Sequence, residues 1–396
     1  MNNQLKYVPV FRGLQEEFKV LKTFDFGQQM YPCLEIVKEV DHAVRQPKKE
    51  SGKLLKPEKT FEQAYIPIIS EIDAVKVFVD LPVHLKPIDG MNEDSLLFLR
   101  TVITIREKRT AYMLKLAPLK EAIIPVISSY AQISGERGTI KLQEEALRPT
   151  FNILAFRVFM ETFGQDMEQI KKMIQPGDYL FMDWGTNELD IEEGDQEDIV
   201  EELNQLTCTV ITHRNPVPEK ITNVGLVNNA IVELINNSHI EKYSAFGGNC
   251  FSDYAGIKKS TLTGAPITSP GFIYYDAVQN NFYGFRYLYG SNKKGDVKPS
   301  LEEFETTIVP AVLNSAATTR MLSSPDNYLS RENKGYITLR NIERHSGPAG
   351  ESGKSPAKFK KIGMEHYLHC MKIKIRNESS DGDKGLDSLM EIDVDG

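Results

Sequence analysis

Carboxylates, guanidiniums and an imidazole stand within, at the ends of or just past short apolar runs in this 396-residue chain. They are Glu35, Asp80 and Asp183, then Arg12, Arg157 and Arg214, and His213. A guanidinium grips phosphate or carboxylate through two parallel hydrogen bonds. A carboxylate facing an imidazole can move protons near neutral pH. Brought to one place, these groups would recognise an anion, with Arg12, Arg157 and Arg214 supplying the contacts and Glu35 and Asp183 orienting them. The acids also suit a second chemistry. With Glu35, Asp80 and Asp183 as divalent-metal ligands and His213 or His366 as acid and base, the site would cleave phosphodiesters. Plain capping residues and ion pairs around a rim are the competing structural reading. His366 and His369 have a spacing that could put two imidazoles on one helix face. A metal centre needs three or four convergent ligands, so that pair alone makes none.

The elements that must position these groups alternate along the first 260 residues. Apolar runs at Tyr7–Phe11, Tyr31–Val37, Val75–Leu81, Ala122–Ser128, Asn152–Val158, Asp178–Asp183 and Thr207–Thr212 read as strands, with Lys242–Phe246 as an eighth. Stretches with helical spacing separate them, for example Leu96 to Leu114 and Met167 to Ile174, the latter stopped by Pro176-Gly177. Most runs are apolar on both faces, as parallel strands under helices must be. The expectation is an α/β fold, a (β/α)8 TIM-barrel-like domain whose polar strand ends gather at the C-terminal mouth. An open doubly wound sheet would want a glycine-rich turn after the first strand, and Arg12-Gly13-Leu14-Gln15 does not supply it. Pro9, Pro32 and Pro125 lack the donor of a central ladder and belong near strand starts or bulges.

Beyond residue 260 the pattern changes. Phe272–Asp276 and Phe282–Tyr287 flank Gln279-Asn280-Asn281, a β-hairpin signal. Leu301 to Leu313 reads as a helix. Residues 321–361 are polar, punctuated and locally basic, and Ile362 to Ile375 is an amphipathic helix. The expected organisation is a barrel core over 1–261 and an insertion over 262–358 carrying the hairpin, a helix and the basic loop. A barrel-closing helix over 359–376 and a disordered acidic tail over 377–396 complete it. Gly347 to Ser355 imitates a phosphate-binding loop, but Pro348 stands where its first glycine belongs and no strand precedes it.

Composition narrows the classes. Lys and Arg total 47 against 55 Asp and Glu, a net charge of −8, which excludes a polycation built for nucleic acid. The acid concentrates at 188–202 and the base at 331–361. No apolar run reaches the roughly 18 residues of a membrane helix. No export signal opens the chain, and Cys33, Cys208, Cys250 and Cys370 form no Cys-x-x-Cys pair, so the expectation is reduced thiols in the cytoplasm. No cofactor is implied.

Arg12-Gly13 and Glu35 resemble a fragment of the glycerophosphodiester phosphodiesterases, where His-Arg-Gly follows the first strand and Glu-x-Asp the second. Here those His and Asp positions are Phe11 and Val37, which does not support that mechanism. A wider resemblance covers residues 7 to 370. Tyr7-Val-Pro-Val-Phe-Arg-Gly-Leu-Gln-Glu-Glu-Phe18, Pro32-Cys-Leu-Glu-Ile36, Ser252-Asp-Tyr-Ala255 and Ile362-Gly-Met-Glu-His-Tyr367 occur in the order in which the Beta protein family carries similar motifs. Tyr367 replaces the second histidine of the last motif. The resemblance implies a barrel-like fold and a role in phage–host conflict. It adds Asp253, Tyr254 and His366 to the candidate site. The resulting expectation is a binding or regulatory component that recognises a nucleotide, a nucleic-acid end or an acidic segment of a defence-system protein. A metal-dependent phosphodiesterase or nuclease, and a scaffold recruiting a partner through the hairpin, are the alternatives.

Overall fold

The computed structural model describes residues 4–39, 59–85, 90–91, 93–129, 135–189, 194–258, 262, 271–286, 301–344 and 352–390, with side chains up to residue 378. The chain divides into two compact units. The first comprises Met1–Arg214, Lys242–Ser252 and Ser260–Ala265, and the second Asn215–Glu241, Asp253–Lys259 and Pro266–Gly396.

The first unit is built on a closed parallel barrel. Its strands are β1 (Tyr7–Phe11), β2 (Cys33–Glu35), β3 (Val77–Asp80), β4 (Ile123–Ser128), β5 (Ala155–Phe159), β6 (Tyr179–Asp183) and β7 (Thr209–His213). After the short β8 (Ala230–Ile231), which lies elsewhere, β9 (Cys250–Asp253) completes the ring. Closure is visible where the Phe251 N–H donates to the Lys6 carbonyl at 3.1 Å. The expected (β/α)8 architecture is therefore present, with helices such as Gln15–Thr23, Glu93–Thr104, Arg106–Leu114 and Phe163–Ile170 following the strands.

The eighth strand is not where the apolar run at Lys242–Phe246 predicts. Those residues end the helix His239–Lys242 and form the 3-10 turn Tyr243–Phe246. Gly247, at φ +74°, breaks the run, and Gly248 follows close against Thr212. The strand begins only at Cys250, where alternation resumes.

Period-two alternation sorts the barrel interior into layers. Phe78 packs edge-on against Tyr179 and Phe181, with ring centroids 5.0 and 5.1 Å apart. Two residues farther along the same faces stand Asp80 and Asp183. An apolar floor thus carries a charged layer at the C-terminal strand ends. Gly13, at φ +55°, turns the chain out of β1 so closely that an added Cβ would lie 3.3 Å from the Glu35 carbonyl oxygen.

The second unit holds an antiparallel sheet in the order β10 (Gly271–Asp276), β11 (Asn281–Arg286), β8. The hairpin matches its sequence signal, turning through Asn280 at φ 53°. One of its outer edges is already occupied, because β8 pairs with β11. The stretch read as a basic loop contains helix, the end of Ala316–Ser323 and all of Lys334–Arg344. Tyr336, Leu339 and Ile342 repeat every three residues and are buried there. The segment expected to close the barrel is part of one long helix, Pro356–Met390, which belongs to the second unit. It packs on β10 through Phe359 and Phe272. It also runs on through the tail from Asn377 whose composition predicts disorder, while 391–396 and 345–351, most of the phosphate-loop imitation, lie outside the described residues.

Helices Lys334–Arg344 and Pro356–Met390 touch through Gly335. A Cβ there would run into the Ile362 carbonyl oxygen and stand 2.7 Å from the His366 amide nitrogen. Gly→Ala in a helix ordinarily stabilises by about 1 kcal/mol. At Gly335 the sign should reverse, with a loss of about 1–3 kcal/mol from overpacking against backbone. Urea denaturation of Gly335→Ala measures it, and unchanged or increased stability would refute the close contact.

Candidate functional site

The charged layer is built from the ends of four strands and one helix. Register sets Glu35 of β2 beside Asp80 of β3, and Asp183 of β6 beside both Phe159 of β5 and His213 of β7. Arg157 points inward from β5 and is 2 % exposed. Its Nη1 donates to Glu35 Oε1 at 2.9 Å and to Asp80 Oδ2 at 3.0 Å. Its Nε and Nη2 donate to Asp183 Oδ2 at 2.9 and 2.6 Å. Arg12 Nε donates to Glu35 Oε2 at 3.0 Å, and the Arg12 backbone N–H donates to the Glu17 carboxylate. Sequence reasoning therefore brought Arg12, Glu35, Asp80, Arg157 and Asp183 to one place, and the structure joins them into a single buried network.

Further members were missed. Arg109, on the helix Arg106–Leu114, donates from Nη2 to Asp80 Oδ1 at 3.0 Å and from Nε to the Leu81 carbonyl at 3.0 Å. Its Nη1 donates to Gln143, whose own amide donates to the Ser128 carbonyl at 2.8 Å. His84, four residues past Asp80, places Nε2 3.3 Å from Glu35 Oε1, and its side chain is 13 % exposed. Phe159 lies beside it, ring centroids 5.6 Å apart, and also faces the Arg157 guanidinium.

The two adjacent acids are driven apart electrostatically. Burial alone would raise Glu35, but the positive charges of His84, Arg12 and Arg157 hold its carboxyl well below the usual range. Asp80 is raised, because burial and the Glu35 charge outweigh Arg157 and Arg109.

His213 ends β7 and Arg214 follows it. The Ser252 hydroxyl donates to the Val8 carbonyl at 2.7 Å, so the 2.8 Å bond between Ser252 Oγ and His213 Nδ1 has the imidazole as donor. That arrangement fixes a ring tautomer and rules out Ser252 as a nucleophile activated by Nδ1. Arg214 is 5 % exposed and donates from Nε to the Asn187 carbonyl at 2.6 Å. Burial lowers its pKa, opposed by Glu188.

Asp253, Tyr254 and His366 fall in the second unit. The Tyr367 hydroxyl donates to Asp253 Oδ2, and Gly256, at φ +68°, makes room for the Tyr367 ring. His366 stacks on Tyr274 at 4.3 Å, with Nε2 2.7 Å from the Tyr275 carbonyl and Nδ1 2.9 Å from the Asn333 amide. Tyr254 is buried. These two late motifs meet each other, around the residue that replaces histidine. All four cysteines are buried and free of disulfides, and burial pushes the Cys208 thiol up to about 12, far from a reactive thiolate.

An eight-stranded parallel barrel with an arginine-centred ionic cluster at its C-terminal end defines a TIM-barrel-like α/β protein. The sequence model of the Beta protein family matches residues 7–372, and the chain belongs to that family. No curated protein and no solved structure matches it. Among the described residues, no helix is long and apolar enough to cross a membrane.

Proposed function

We propose that this Beta-family barrel is a cytoplasmic binding or regulatory component of phage–host conflict, and that its mouth recognises an anionic ligand such as a nucleotide, a nucleic-acid end or an acidic protein segment. The supporting observation is the set of guanidiniums carried by three strands, Arg12 just past β1, Arg157 within β5 and Arg214 just past β7. Glu35, Asp80 and Asp183 fix the forks of Arg12 and Arg157, so these two shape the positive field. Arg214 is the contact residue in this reading. Its charge is disfavoured by burial, and an arriving anion would offset that cost. The hydrolase alternative with Glu35, Asp80 and Asp183 as a ligand trio loses support, since the ligand atoms that converge among the described residues are those of Glu35, Asp80 and His84, without Asp183.

Inorganic pyrophosphate is the first probe. Calorimetry should show it binding the wild-type chain and binding Arg214→Gln at least tenfold more weakly, with melting temperature nearly unchanged. Equal affinity in both proteins, or none in the wild type, defeats the reading. Mass spectrometry of small molecules and proteins retained by the chain from infected and uninfected cells would then identify the natural ligand.

A further inference from the structure

We infer that Glu35, Asp80 and His84 form a divalent-cation site at the barrel mouth. One ligand atom from each lies within 4.8 Å of the others, the span of a single coordination sphere. Two ligands at roughly 2.1–2.4 Å from one ion are separated by no more than that. The three reach the point from different places: the end of β2, the end of β3 and the turn after β3. Register alone sets the carboxylates side by side. Two hard oxygens and one imidazole nitrogen suit Mn²⁺, Fe²⁺ or Zn²⁺ better than Ca²⁺. Three protein ligands leave coordination positions open, as in sites that present a metal to a ligand.

Arg157 Nη1 sits between Glu35 and Asp80 and holds the two carboxylates together, so their approach does not need the metal. His84 is the partly exposed member of the trio, which makes its side the route in. Asp183 is not part of this site, which therefore differs from the trio of acids read from the sequence.

Cation binding at this trio does not depend on anion binding at Arg214, and its test uses metal alone. The full chain, stripped with chelator, is titrated with MnCl₂ and bound Mn²⁺ is followed by electron paramagnetic resonance. One Mn²⁺ per chain is expected, with affinity at least tenfold weaker in His84→Ala and lost in Asp80→Asn. Asp80 is buried in ion pairs, so loss of binding in its variant counts only if that variant folds. The partly exposed His84 is the decisive position, with circular dichroism confirming that His84→Ala keeps its fold. No stoichiometric Mn²⁺ binding by the wild type, or equal binding by a folded His84→Ala, overturns the proposal.

Discussion

Replacing Arg157 with methionine should cost the barrel about 3–5 kcal/mol, the penalty for breaking a buried ion pair from one side. Glu35, Asp80 and Asp183 all lean on this one guanidinium, and each is nearly or fully buried. Without it Glu35 keeps Arg12 and Asp80 keeps Arg109, while Asp183 loses both hydrogen bonds that it accepts from Arg157. Arg157→Lys should recover only part of the loss, since an ammonium cannot reproduce the fork that reaches three carboxylates. Adding Asp183→Asn to Arg157→Met should recover stability as well, because it removes the stranded charge. Chemical denaturation of the four proteins provides the comparison. A loss below about 1 kcal/mol would mean that the network is solvated and has the energetics of a surface ion pair.

The second large effect is expected from acid. Burial lowers both His366 and His369 to about 4, against roughly 6.5 in an unfolded chain. A folded state that refuses protons loses stability as pH falls. Each imidazole contributes fully above the unfolded value, and its contribution declines as pH drops from about 6.5 towards 4. By pH 5 each should have lost about 2 kcal/mol, at about 1.4 kcal/mol per pH unit. Glu332 opposes the shift of His369, while Lys372 and Arg376 reinforce it. Urea melts at pH 7, 6 and 5 test this before most carboxylates titrate. His369→Gln should remove its share of the slope. A flat profile over that range would show that these rings are protonated without cost and are not buried as described.

The barrel was legible because parallel strands wrapped by helices become continuous apolar runs, and because the acids that end them have no apolar reason to be there. Glu35, Asp80 and Asp183 stood out on that ground. Arg109 did not, although its signal was present: Arg106, Arg109, Thr110 and Met113 follow helical spacing, and Arg109, Thr110 and Met113 are buried. A cation on an apolar stripe is a cation with a buried partner. His84 was equally within reach, since it follows the same strand end that exposed Asp80. The eighth strand was misplaced because Tyr243–Phe246 imitates a strand in composition while Gly247 and Gly248 end it within four residues. The two-residue β8 is too short to carry any period, and only pairing with β11 reveals it. That Asp253 and Tyr367 meet depends on tertiary contact, which spacing within one segment cannot report.

The route of the chain through β9 has a consequence for synthesis. The hydroxyl of Ser252 must find the carbonyl of Val8, 244 positions earlier, before the ring is complete. Between β7 and β9 the ribosome first delivers residues 215–241, which belong to the other unit, and their partner strand β11 comes still later. The nascent barrel therefore waits, seven strands long and with two raw edges, for a four-residue strand that comes only after a segment of the other unit. Long-range closure of this kind is slow. A shortened gene ending at β7 would encode an open, edge-exposed sheet, and neither unit can be cut out as one continuous piece of coding sequence.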